Sequence, residues 1–139
     1  MSARLPLFLI VAGLLALPTV GQAATKQGIT PLAPKAGTSV PSGRSPTFKM
    51  RVKGPGQVWV HVCASRKKDE DGLICRDATF GRARKKGGSF RFKPRFFDLP
   101  DFWANNPGTY YWQAHRIACN AAITDCSQEG PIVKFRVAG

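Results

Sequence analysis

The sequence is poor in acidic residues and in histidine, and it lacks the short motifs that mark common catalytic sites. It has 8 aspartates and glutamates against 21 lysines and arginines, a formal net charge of +13, and 2 histidines. The patterns H-E-x-x-H and G-x-S-x-G and a phosphate-binding glycine loop are absent. The sequence therefore predicts no enzymatic activity and no cofactor. The catalytic alternative is a small secreted ribonuclease in which His61 and His115 act as general acid and base.

Apolar or periodic runs long enough for a membrane span or a core helix are absent after residue 23. Residues 1–23 have the pattern of a signal peptide: Arg4 precedes an apolar run, and Gly21 and Ala23 fit a cleavage site. A retained membrane anchor is the alternative. We expect the mature chain to be exported and secreted, with no transmembrane segment after cleavage, and to be a monomer. A flexible leader is predicted over residues 24–33 and one domain over residues 34–139.

Paired C-x-x-C motifs are also absent, although the chain has four cysteines. An even number of cysteines in an exported domain is typical of two disulfides. A zinc site would need thiolates, which an oxidising compartment disfavours, so we expect no metal. The cysteines are Cys63, Cys75, Cys119 and Cys126.

The chain does contain short runs in which apolar and polar residues alternate, as in β-strands with one buried face. Such runs cover residues 46–53, 57–62 and 89–93, and a long hairpin follows over residues 106–137. Residues 63–75 and 81–88 are predicted loops, and residues 98–105 a helical turn. The inward positions predict a core of Phe48, Met50, Val52, Val58, Val60, Val62, Phe90, Phe92, Tyr110, Trp112, Val133, Phe135 and Val137.

These strands and turns predict an all-β protein, an antiparallel two-sheet β-sandwich of about seven strands. From about residue 34 to 137 the chain resembles the fibronectin type III and immunoglobulin-like domains of exported bacterial proteins. The resemblance rests mainly on Pro107-Gly108-Thr109-Tyr110-Tyr111-Trp112, a turn that leads into a strand. In that family an early tyrosine bonds its hydroxyl to upstream backbone, a role that the resemblance gives to Tyr110. Met50 stands where family members often have tryptophan.

The family's strand arrangement implies where the cysteines and charged side chains lie. It implies disulfides Cys63–Cys75 and Cys119–Cys126, because Cys63 and Cys119 would lie at opposite ends of the domain. It also implies that two cation-rich strands pair and form a candidate polyanion-binding face, for which a solvated face without a partner is the alternative. The predicted face consists of Lys49, Arg51, Lys53, Arg91, Lys93 and Arg95.

The opposite sheet would expose a candidate partner-binding patch, for which partial cover by loops is the alternative. The patch consists of Trp59, His61, Tyr111, Gln113 and His115. The first functional hypothesis is a non-catalytic exported domain that acts in extracellular binding or adhesion to an unknown protein or glycan. The second is a protein that binds an anionic envelope polymer through the basic face. Nucleic acid is disfavoured because this face lacks predicted aromatic platforms, and a secreted protease inhibitor is a distant third.

Overall fold

The computed structural model describes residues 24–64, 66–68, 70, 73–74, 79–95, 103–119 and 127–139. The predicted signal peptide, Cys75 and Cys126 lie outside these residues, as does the first part of the predicted helical turn. Among the described residues, no helix is long and apolar enough to cross a membrane.

The described residues form eight β-strands and a single 3-10 turn, Trp103–Asn105, and contain no α-helix. The predicted all-β class is therefore confirmed. The strands are β1 (Ile29–Ala33), β2 (Ser39–Pro41), β3 (Phe48–Val52), β4 (Gln57–Cys63), β5 (Thr79–Lys86), β6 (Ser89–Phe92), β7 (Gly108–Ile117) and β8 (Ser127–Ala138).

The strands form one mixed sheet in the order β1-β3-β6-β5-β4-β7-β8-β2, curled into a half-barrel. All neighbours are antiparallel except β2 and β8, which are parallel. Strand β5 joins the two halves of the sheet, because residues 79–83 pair with β4 and residues 84–86 pair with β6. The sheet is thus continuous from one edge to the other.

The curl brings the inner side chains of β3 against those of β7 and β8. The ring of fully buried Phe48 lies 5.3 Å from that of Trp112 and 5.9 Å from that of Phe135. The Trp112 indole also donates a 3.0 Å hydrogen bond to the carbonyl of Pro34, as a buried indole N–H requires. Trp112 therefore has the packing role that its place in the alternation predicts.

The predicted core is confirmed, with Val52, Phe90 and Phe92 only partly buried at its margin. The long hairpin is also confirmed, since Tyr110 lies opposite Phe135 and Trp112 opposite Val133. Trp103 and Ala104 of the predicted helical turn also belong to the core, as expected for a turn that closes one end of it. The alternation did not indicate the remaining core residues, which are Ile29, Ala83 and Ala114.

Two predicted segments are wrong. Residues 29–33 of the predicted leader form β1, which pairs with β3 and fully buries Ile29. Residues 81–86 of the predicted basic loop belong to β5. Gly81 faces inward where the strand lies against the Phe92 ring, and a Cβ at this position would overlap that ring. The glycine that resembles a loop signal is therefore a close-approach position within a strand.

Candidate anion-binding face

Three cations lie directly opposite one another on three adjacent strands. Lys49 of β3 pairs in register with Arg91 of β6, and Arg91 pairs with Arg84 of β5. Paired residues of an antiparallel ladder share one face, and neighbouring strands are about 4.8 Å apart. The three side chains therefore form a short row of positive charge across the sheet.

Strand β5 adds further cations to the same side of the sheet. Arg82, Arg84 and Lys86 alternate with Gly81, Ala83 and Lys85 and are all exposed. Alternate residues of a strand are about 6.6 Å apart, so the row continues along the strand as well as across it. We call the following six residues the basic face: Lys49, Arg51, Arg82, Arg84, Lys86 and Arg91.

The basic face has no carboxylate on its own strands. Among the described residues, Glu70 and Glu129 are the only acidic ones, and neither lies on β3, β5 or β6. Glu129 of β8 forms ion pairs with Lys26 and Lys68 instead. Like charges directly opposite each other in a ladder are destabilising, so this face stores repulsion that a bound anion would relieve.

The other predicted cations lie beside this face. Lys53 follows β3, and its backbone N–H donates to the carbonyl of Gly28 at 2.9 Å. Lys93 and Arg95 follow β6 and, with Arg44, line an open depression of about 560 Å³. A second depression, of about 480 Å³, is lined by Gly56, Gln57, Val58, Arg82, Ala83, Arg84, Lys85 and Phe90.

An aromatic pair adjoins the basic face along β5. The rings of Phe80 and Trp59 are stacked, with centroids 4.6 Å apart and planes 9° from parallel. Phe80 is 49% exposed and points to the same side of β5 as Arg82, two residues further along. We call these two side chains the aromatic platform. The platform lies on β4 and β5, beside the predicted face on β3 and β6, for which no aromatic platform was expected.

The predicted partner-binding patch is largely buried. His61, Gln113 and His115 are 1%, 0% and 4% exposed, so the prediction of an exposed patch is wrong for these three. Trp59 and Tyr111 remain partly exposed.

Two described residues between β4 and β5 bear on the burial of Gln113. Leu73 and Ile74 are buried, and the Ile74 N–H donates a 3.0 Å hydrogen bond to the side-chain oxygen of Gln113. The Gln113 amide in turn donates to the carbonyl of Gly130 at 3.0 Å. These two bonds fasten the segment that contains Ile74 to β7 and β8, so the loop predicted over residues 63–75 is only partly solvated.

The two buried histidines contact each other. Nε2 of His61 and Nδ1 of His115 are 2.8 Å apart, which is a hydrogen bond between the two imidazoles. Since both rings are nearly inaccessible to solvent, a substrate has no access to them as the acid and base of a ribonuclease. The described residues contain no group of three or more histidine, cysteine or acidic side chains placed to hold a metal ion.

The strand register separates Cys63 from Cys119. Cys63 lies opposite Tyr111, whereas Ile117, two residues before Cys119, lies opposite Gln57. Tyr111 and Ile117 are about 20 Å apart along β7, which is far beyond disulfide reach. A Cys63–Cys119 bond is thereby excluded. Because Cys75 and Cys126 lie outside the described residues, the pairings Cys63–Cys75 and Cys119–Cys126 remain predictions.

Sequence reasoning missed four residues of the site: Phe80, Arg82, Arg84 and Lys86. The signal was present as a period-two pattern from Phe80 to Lys86, but the glycines on either side of the cations favoured a loop. Comparison of the chain with protein-family models, curated proteins and solved structures finds no match. The geometry of the basic face is therefore the guide to function.

Proposed function

We propose that this protein binds an anionic polymer through the basic face. The observation that carries the proposal is the register of Lys49, Arg91 and Arg84, which places three cations side by side on strands that contain no carboxylate. An anionic chain that neutralises these side chains releases its own counterions, so affinity should fall steeply with salt. The excess of 21 basic over 8 acidic residues supports the same partner by long-range attraction.

The patch expected to bind a protein or glycan is less accessible than its five residues suggest. His61, Gln113 and His115 are buried, whereas Trp59 and Tyr111 remain partly exposed. The basic face, in contrast, consists of exposed side chains except for half-buried Lys49. The alternative hypothesis of polyanion binding therefore becomes the first.

We further propose that the domain is an immunoglobulin-like sandwich in which β5 bridges the two sheets. The packing of Phe48 against Trp112 supports two facing layers. The Tyr110 hydroxyl donates a 3.0 Å hydrogen bond to the carbonyl of Asn106, as the resemblance implies. Export and the two loop-closing disulfides belong to the same proposal and rest on the pattern of residues 1–23 and the even cysteine count.

The test measures affinity for inorganic polyphosphate and for heparin over a salt gradient. We expect weaker binding of both probes by a triple variant, Lys49→Gln, Arg84→Gln, Arg91→Gln. The slope of log affinity against log salt concentration should become shallower, by the amount that corresponds to about three lost ion contacts. The matched control Lys35→Gln, Lys134→Gln, Arg136→Gln removes the same charge from exposed positions away from the basic face. An equal loss in both triple variants would contradict a localised site.

A second measurement separates a binding face from a merely solvated one. Arg91→Thr removes the middle charge of the row and inserts a good strand former. The free energy of unfolding should stay unchanged or rise by up to about 1 kcal/mol, because repulsion on both sides is relieved. Polyphosphate affinity should nevertheless fall. A loss of stability with unchanged affinity would refute the proposal.

A further inference from the structure

We infer that the anionic polymer is a single-stranded nucleic acid and that Phe80 is a stacking surface for one of its bases. This inference rests on the proposed function and adds the class of ligand to it. Proteins that bind single strands combine a positive track for the phosphates with aromatic side chains on which bases stack. The basic face and the aromatic platform supply these two parts side by side.

The platform holds Phe80 in a fixed orientation. Its ring stacks on Trp59 at 4.6 Å and lies 4.9 Å from the ring of His61, the residue opposite it on β4. His61 is in turn held by its hydrogen bond to His115. An exposed phenylalanine without such support would lose side-chain entropy on binding, whereas this ring is already positioned.

The cations continue from the platform in a regular line. Phe80, Arg82, Arg84 and Lys86 occupy successive outward positions of β5, about 6.6 Å apart. An extended single strand has a phosphate repeat of similar size. A base stacked on Phe80 would therefore leave its backbone free to run along the guanidinium groups of Arg82 and Arg84.

The same geometry disfavours other polyanions as the preferred ligand. In a duplex the bases are already stacked on one another, so their faces are not available to Phe80. Polyphosphate carries the charge but has no planar group. A sulfated glycan would likewise pair its charges with Arg82 and Arg84, but it has no planar base that could stack on Phe80. The aromatic platform is thus the feature that would make the protein prefer a single-stranded nucleic acid over a polymer that offers negative charge alone.

Fluorescence anisotropy at fixed salt tests the inference with four probes: a twelve-residue oligo-dT, an abasic twelve-mer, inorganic polyphosphate and heparin. Phe80→Ala should weaken oligo-dT binding about 5- to 150-fold, the range for one stacked base. Binding of the abasic strand and of polyphosphate should change less than twofold. The salt slope for oligo-dT should stay the same in Phe80→Ala, since no charge is removed, and should fall in Arg84→Gln.

Two further variants keep the outcome decisive. Phe80→Trp retains an aromatic face and should bind oligo-dT at least as well as the wild type, even where Phe80→Ala fails to fold. Ile117→Ala removes another exposed apolar side chain, 40% exposed on β7, and should have no effect on any probe.

The possible failures are distinguishable. Polyphosphate binding that depends on Arg84, together with oligo-dT binding that ignores Phe80, would overturn this inference and leave the proposed function standing. A Phe80-dependent preference for heparin over oligo-dT would overturn it in favour of a glycan. Absence of binding to all four probes would overturn the proposed function itself.

Discussion

The imidazoles of His61 and His115 share a buried hydrogen bond, with Nε2 of the first 2.8 Å from Nδ1 of the second. A hydrogen bond between two ring nitrogens needs one donor and one acceptor, so one imidazole donates and the other accepts. Replacing one ring by an apolar side chain removes this buried bond and should lower the free energy of unfolding by about 1–3 kcal/mol.

Urea unfolding measures this effect in His61→Leu and in His61→Gln, which keeps a hydrogen-bonding group beside His115. The loss of stability should be larger in His61→Leu than in His61→Gln. Equal stability of His61→Leu and the wild type would contradict a stabilising bond between the two rings.

Gln113 fastens the segment that contains Ile74 to the sheet. Its replacement by leucine would leave the Ile74 N–H and the Gly130 carbonyl without their partner, at about 1–3 kcal/mol for each buried group. We expect Gln113→Leu to lower the free energy of unfolding by about 2–4 kcal/mol. Hydrogen exchange should also show faster exchange of the Ile74 amide. The control Gln57→Leu, at an exposed position of β4, should change stability little.

Gly81 is a packing requirement of strand β5. A methyl group at this inward position would overlap the Phe92 ring, which must then move away from Phe48, 6.3 Å distant. Gly81→Ala should therefore cost about 1–3 kcal/mol in thermal or urea unfolding, the usual range for overpacking. Gly88→Ala is the matched control, because nothing lies within 4 Å of a Cβ there. Equal stability of the two variants would contradict the packing of β5 against β6.

The hydroxyl of Tyr110 ties the start of β7 to the preceding turn through the Asn106 carbonyl. Tyr110→Phe should lower the free energy of unfolding by about 0.5–1.5 kcal/mol, and Tyr111→Phe, on the other side of the strand, by less. Burial raises the pKa of Tyr110 above its ordinary value of 10.0. The unfolded chain thus loses this proton first, and the stability that Tyr110 contributes below pH 10 is lost as the pH rises through the raised value.

Alkaline absorbance titration checks that sign. The chain has 2 tyrosines, and Tyr110→Phe should remove absorbance change that occurs above pH 10, because burial raises the pKa of Tyr110. Loss of signal only at or below pH 10 would contradict the assignment.

Glu129 joins the amino-terminal residues and the β4–β5 segment to β8. Partial burial opposes its ionisation, but hydrogen bonds and charge from Lys26 and Lys68 outweigh this and lower its pKa from the ordinary 4.5. The stabilisation is therefore present above pH 4.5 and is lost as the pH falls through the lowered value.

Glu129→Gln should cost less than about 1 kcal/mol at pH 7, since both lysines are over 40% exposed. The difference from the wild type should shrink as the pH falls through the lowered pKa of Glu129, and also in high salt. A difference that stays constant from pH 7 to pH 3 would show that the ion pairs are not its source.

The local alternation of apolar and polar residues determined much of this protein's fold. It was sufficient to predict the all-β class, most of the core, the long β7–β8 hairpin and the outward placement of Lys49 and Arg91. Period-two patterning carries this information because each strand residue faces either the core or the opposite side of the sheet. This information is reliable where apolar and polar residues alternate without interruption, as from Phe48 to Val52.

The tertiary structure decided what depends on partners far apart in the chain. Strand β1 is held by pairing with β3 despite Pro31, and β5 carries a glycine because Phe92 lies against it. Alternation placed His61, Gln113 and His115 on the outer side of the sheet, and it could not indicate that all three are buried or that the Ile74 N–H bonds to Gln113. Burial depends on what packs above a face, so only the folded chain could move these residues inside and leave Phe80 beside the cations of β5.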